Sequence, residues 1–128
     1  MEKSHFKQAK LWLEGAKHIS IRESEESEKY SVATAMLVHA ILKANDALTT
    51  KFLKKTARKH DDAKELFDEM IKKNNIKAEY ANYKSIIQEA INNKSKAEYK
   101  VSFFSKNSYT DFERKAEKFL EDNTIEVN

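Results

Sequence analysis

The chain contains no cysteine and no proline, and Gly15 is its only glycine. Without cysteine there is no disulfide, no thiolate nucleophile and no cysteine-bound zinc. Tight β-turns and hairpins rely on glycine and proline for their special backbone angles, so sheet architectures lose most of their usual connectors. One glycine cannot build a phosphate loop or a dinucleotide fingerprint, and no cofactor is expected. No apolar run approaches the roughly 20 residues needed to cross a bilayer. The opening MEKSHFKQAK has no apolar stretch of the signal-peptide kind. These absences make a cytoplasmic protein without membrane contact the expectation.

What is present fits a helical domain. Over 128 residues, 40% are hydrophobic and 35% charged, enough apolar material for one core and too much for a disordered chain. The net charge of +3 is small, and lysines and acids are interspersed, so charge alone does not identify a nucleic-acid binder. Apolar residues at three-four spacing predict helices over about Glu2–His18, Glu26–Ala57, Asp61–Asn75 and Ala78–Phe103, with a last helix ending near Glu121. Ser108 with Asp111 three residues on resembles a capping box for the last helix, and the tail DNTIEVN is expected to fray. The second helix carries apolar residues over a broad face, from Ala33 through Leu37, Ile41 and Leu48 to Phe52, as a central helix touched on several sides does. The expectation is a single all-α domain over residues 1–128: an up-and-down bundle of four to five helices with one long central helix.

Three features could carry chemistry. The first is the basic run of Lys51, Lys54, Lys55, Arg58 and Lys59 beside His60. Lys51, Lys55 and Arg58 fall on adjoining turns, so their charges can converge on one strip of surface, suited to phosphate oxygens. The competing reading is a solvated helix end whose lysines offset the dipole and are neutralised by Asp61 and Asp62. The second is Asn45 with Asp46, which interrupt the apolar face of the central helix. Asn45 reads either as a polar contact to a ligand or as a hydrogen bond between packed helices. The third is His39, a general base in principle, although no serine, threonine or carboxylate is placed to form a relay with it. The adjacent HDD at 60–62 lacks the three-or-four spacing of helical metal ligands, and no metal is expected.

The segments FKQAKLWLEGAKH, SVATAMLVHAILKANDALTTKFL, RKHDDAKELF and NKSKAEYKVSFFSKNSYTDFERKAEKFLE together resemble the HEPN family (higher eukaryotes and prokaryotes nucleotide-binding) over nearly the whole chain. The resemblance implies a four- or five-helix bundle, commonly a homodimer, associated with RNA or nucleotides. It also implies a small nucleotidyltransferase as partner protein in toxin–antitoxin or defence modules. Catalytic members are metal-independent ribonucleases that use an arginine followed four to six residues later by a histidine. Here Arg22, Arg58 and Arg114 have no histidine at that spacing, and INNKSKAEYK, where the motif belongs, has neither residue. No catalytic residue is therefore carried over. The expected function is a non-catalytic HEPN-like domain that binds a nucleotide, RNA or a partner protein, with Lys51, Lys54, Lys55 and Arg58 as anion ligands and Asn45 or His39 reading polar groups nearby. The alternatives are a metal-independent ribonuclease with a non-standard site, using His39 or His60 as base, and a purely structural dimerisation module.

Overall fold

Alanines set the pattern of the first two helices. Along α1 (Glu2–Ser20) the buried positions are Phe6, Ala9 and Ala16, and along α2 (Glu28–Leu53) Ala33, Ala40, Ala44 and Ala47 are fully buried. Small side chains let two helix backbones approach closely. At Gly15 the Met36 side chain lies against the α1 backbone: a Cβ there would lie 2.8 Å from Met36 Cε. The two helices run antiparallel, since Trp12 stacks on His39 with ring centroids 4.7 Å apart while Gly15 meets Met36.

The computed structural model describes residues 1–22, 28–59, 61–99 and 104–128, and of 97–99 the backbone alone. The expected start of the second helix at Glu26, the end of the fourth at Phe103, and the side chains of His60 and Tyr99 lie outside the described residues. Within them the protein is an all-α bundle of five helices. The central helix is α2, packed by α1, α3, α4 and α5, which explains why its apolar residues extend around so much of its circumference. Phe67 of α3 (Asp62–Lys72) and Phe119 of α5 (Lys106–Val127) meet edge to face at 6.2 Å in the core. Each is fully buried, which stabilises the fold by about 1.5–3 kcal/mol per side chain.

The chain doubles back after Leu53, so that Ala63 at the start of α3 touches Asn45. From there α3 and α4 (Lys84–Tyr99) are antiparallel, joined by Lys84 to Asp68 and Lys64 to Gln88. Next, α5 runs antiparallel to α4 and the residue that precedes it, through Tyr83 with Asp122 and Lys115 with Glu89. As a result α5 lies beside α2 in the same direction, with Tyr30 against Tyr109 near one end and Lys51 against Glu126 near the other. Lys17 of α1 pairs with Glu117 of α5.

Four helix boundaries differ from the expectation. The second helix stops at Leu53 rather than Ala57 because Lys54 takes a left-handed backbone (φ 59°), a conformation that costs a non-glycine residue roughly 1–2 kcal/mol. Lys55 N–H reaches back to the Thr49 carbonyl at 3.4 Å and Lys54 Nζ to the Lys51 carbonyl at 3.1 Å, which offsets part of that cost. The third helix ends similarly on Asn74 (φ 58°), with Asn75 N–H donating to Met70 O and Asn74 N–H to Ile71 O, a Schellman closure. Residues 78–83 form a 3₁₀ segment (Ala78–Tyr83) before α4 rather than its first turns. The last helix is capped by Ser105, whose Oγ accepts from Ser108 N–H at 3.0 Å, not by Ser108 with Asp111. It also runs on to Val127, which is buried, so the expected frayed tail is the final turn of α5.

Candidate functional site

The early end of α2 rearranges the basic run. With Lys54 left-handed, Lys51, Lys55 and Arg58 no longer fall on adjoining turns of one helix, and the strip expected from helical spacing does not form. Lys51 crosses instead to the C-terminus of α5, donating to the carbonyl oxygens of Glu126 and, at 3.3 Å, Val127. There it satisfies two of the last carbonyls of α5 and places a cation at the negative end of that helix. Lys55 forms a long ion pair with Glu69 of α3, 3.8 Å. Two of the four cations are therefore committed to the fold's own acceptors, and Lys54 to the turn that contains it.

Arg58 is placed differently. After the turn it lines a cleft of about 130 Å³ together with His39, Lys43, Asp46 and Ala63. His39, Lys43 and Asp46 recur every three or four residues along α2, so they share one helical face. The doubling back of the chain then carries Arg58 and Ala63 across that face. Among the described residues no carboxylate lies within ion-pair distance of Lys43 or Arg58. On one side the cleft is backed by Trp12, stacked on the His39 ring, which fixes the imidazole plane against α1.

Asn45 does not face this cleft. It is fully buried and its Nδ2 donates to the Ala63 carbonyl at 3.0 Å. Of the two roles open to it from sequence, the hydrogen bond between packed helices is the one the geometry displays. Its influence on the cleft is indirect, because it holds the first turn of α3 where Ala63 forms the wall.

The cleft thus unites His39 and Arg58, both singled out from sequence, with Lys43, which was not. The signal for Lys43 was available, since it is four residues from His39 and on the same face of α2. What the sequence did not offer was a reason to pair that face with Arg58, because the pairing depends on where α2 stops. Asp62 serves the turn, its Oδ2 accepting from Lys59 N–H at 3.3 Å, while Asp61 stands at the N-cap of α3 without a side-chain capping bond. Among the described residues no three His, Asp or Glu side chains are grouped to hold a metal ion, and no helix is long and apolar enough to cross a membrane.

No protein-family model matches the chain, and no curated protein matches it. The family resemblance accordingly rests on the sequence segments alone.

Proposed function

We propose that the protein is a non-catalytic, HEPN-like RNA-binding module in which the α2 cleft grips the phosphate backbone of a single strand. The observation that carries this reading is the convergence of Lys43 and Arg58 on one concavity beside His39. A guanidinium and an ammonium that have no carboxylate partner among the described residues are suited to phosphate oxygens. The size of the cleft favours a strand over a free nucleotide. At about 130 Å³ it falls below the roughly 300–1,000 Å³ of pockets that enclose a whole small molecule, but it accommodates one anionic group of a longer chain. Homodimerisation and a small nucleotidyltransferase partner belong to the proposal through the resemblance alone.

The test is fluorescence anisotropy of labelled single-stranded oligouridylate with the purified protein over a salt series. The reading expects affinity that falls steeply with salt, and a loss of roughly tenfold at low salt in the Lys43→Glu/Arg58→Glu protein. In Arg58→Gln the slope of log K against log salt should fall by about 0.7, the value of one single-strand phosphate contact. Unchanged affinity in the double variant removes the cleft from consideration.

A second reading follows from one detail of the same site. His39 and Arg58, 19 positions apart, line one cleft, and a base beside a guanidinium is a pairing that ribonucleolytic transesterification uses. In that chemistry His39 would take the proton of a 2′-hydroxyl as its oxygen bonds to phosphorus, and Arg58 would stabilise charge on the phosphorus oxygens. The P–O5′ bond would break, with the departing 5′-oxygen protonated by solvent. Cleavage of the same oligonucleotide in the presence of chelator, abolished by His39→Ala, would support it. Intact RNA after prolonged incubation leaves binding as the whole activity.

A further inference from the structure

A second concavity lies between the 3₁₀ segment and α5. It is a groove of about 510 Å³ that shares no residue with the α2 cleft. Its apolar surface comes from Tyr80, Tyr83 and Ile86, and at its edge Ile125 leaves 65% of its surface in water. An isoleucine that exposed, on a helix whose neighbouring Val127 is buried, is apolar area left over by the fold. Cations line both sides. On α5, Arg114 and Lys115 are held by Asp111 at 2.7 and 3.0 Å. Lys77 on the 3₁₀ side and Lys118 on α5 are not: among the described residues neither has a carboxylate partner. Lys77 rests 5.9 Å above the Tyr80 ring.

The lining discriminates between classes of occupant. Base stacking needs accessible aromatic faces. Here Tyr80 is 8% exposed with Lys77 over it, and Tyr83 is packed between Tyr80 and Phe119 at 5.8 and 5.0 Å. Glu79 and Asp122 also line the groove, Asp122 accepting from the Tyr83 hydroxyl. An aliphatic edge beside two ammonium groups that have no carboxylate partner among the described residues suits instead a polypeptide that offers an apolar side chain flanked by carboxylates. The apolar side chain covers Ile125 and the tyrosine edges, and the carboxylates reach Lys77 and Lys118 from either side.

We propose that this groove docks an acidic peptide segment of a partner protein, anchored by one aliphatic or aromatic side chain. The inference stands independently of the RNA reading, because it concerns other residues and another ligand chemistry.

It is tested by selecting a random 12-residue peptide library on phage against the full chain, then measuring the selected peptides by fluorescence anisotropy. Support consists of enriched sequences with Asp or Glu around an apolar residue, binding that weakens roughly tenfold in Lys77→Glu/Lys118→Glu, and a comparable loss in Ile125→Ser. Lys77→Arg/Lys118→Arg should retain binding, and circular dichroism should show every variant as helical as the parent. No enrichment, enrichment of basic or neutral sequences, or binding indifferent to the charge reversal overturns the proposal. It is equally overturned if labelled oligouridylate, rather than peptide, is what the charge-reversed groove ceases to bind.

Discussion

The side-chain amide of Asn45 donates to the backbone carbonyl of Ala63 at 3.0 Å inside the core, while its own Oδ1 is buried with no hydrogen-bond partner among the described residues. That single bond ties the middle of α2 to the first turn of α3 and sets the wall of the cleft. Replacing Asn45 by alanine removes the donor and leaves a void. Stability is expected to fall by about 1–3 kcal/mol, seen as a lower urea midpoint with an unchanged slope. An unaltered midpoint would mean that the first turn of α3 is held by packing alone.

Gly15 offers a test with the opposite sign. Glycine in a helix interior costs roughly 0.5–1 kcal/mol relative to alanine. A new Cβ would crowd only Met36 Cε, at 2.8 Å, with Met36 Sδ in ordinary contact at 3.8 Å; both belong to the end of a flexible, partly buried side chain. Gly15→Ala should therefore be neutral or stabilising by up to about 1 kcal/mol, the methionine methyl swinging aside. In a Met36→Ala background the full gain should appear. Thermal unfolding of the four proteins in the cycle measures both. Marked destabilisation by Gly15→Ala would show that Met36 has no other rotamer available.

The cap of α5 separates two serines three residues apart. Ser105 Oγ accepts from the Ser108 backbone N–H, so Ser105→Ala should cost about 1 kcal/mol. Ser108→Ala keeps that N–H and should lie within a few tenths of the parent. Equal losses in the two variants would contradict the capping geometry.

Asp68 gives the pH dependence. Hydrogen bonds from Lys84 and then Lys72 hold its carboxyl below its ordinary value of 3.8. A folded value below the unfolded one contributes stability that is present above about pH 4 and is lost as pH falls through the folded value. Carboxyl carbon NMR should find Asp68 titrating below 3.8. In Lys84→Met it should move back up, further than in Lys72→Met. No movement in Lys84→Met would place the cause elsewhere.

The helices were legible because each carries its apolar residues at helical spacing. Phe112, Ala116, Phe119 and Leu120 are all buried as that spacing implies. Helix ends were less so. At Lys54 the chain leaves α2 with no glycine to announce it, since the left-handed residue is a lysine held by its own turn. The buried Val127 follows a polar stretch that reads as a loose end, and only the neighbouring α2, with Lys51 reaching over, explains why it is helical. His39 and Arg58 were visible as residue types, but their meeting depended on that unannounced stop. The groove at Tyr80 and Ile125 was not visible, because residues some 40 positions apart become neighbours only once α4 and α5 pair.

The bond from Lys51 to the carbonyl of Glu126 spans 75 residues of chain, and this distance has a consequence for how the protein is made. At roughly 5–20 residues per second, a ribosome takes about 4–15 s to supply the second half of that contact after the first has emerged. Throughout that interval the side of α2 that α5 will cover is apolar and unoccupied, with only α1 and then α3 and α4 available to pack on the rest. The nascent chain is therefore at its most exposed to chaperones, and to mispairing with its neighbours on a polysome, just before α5 closes the bundle.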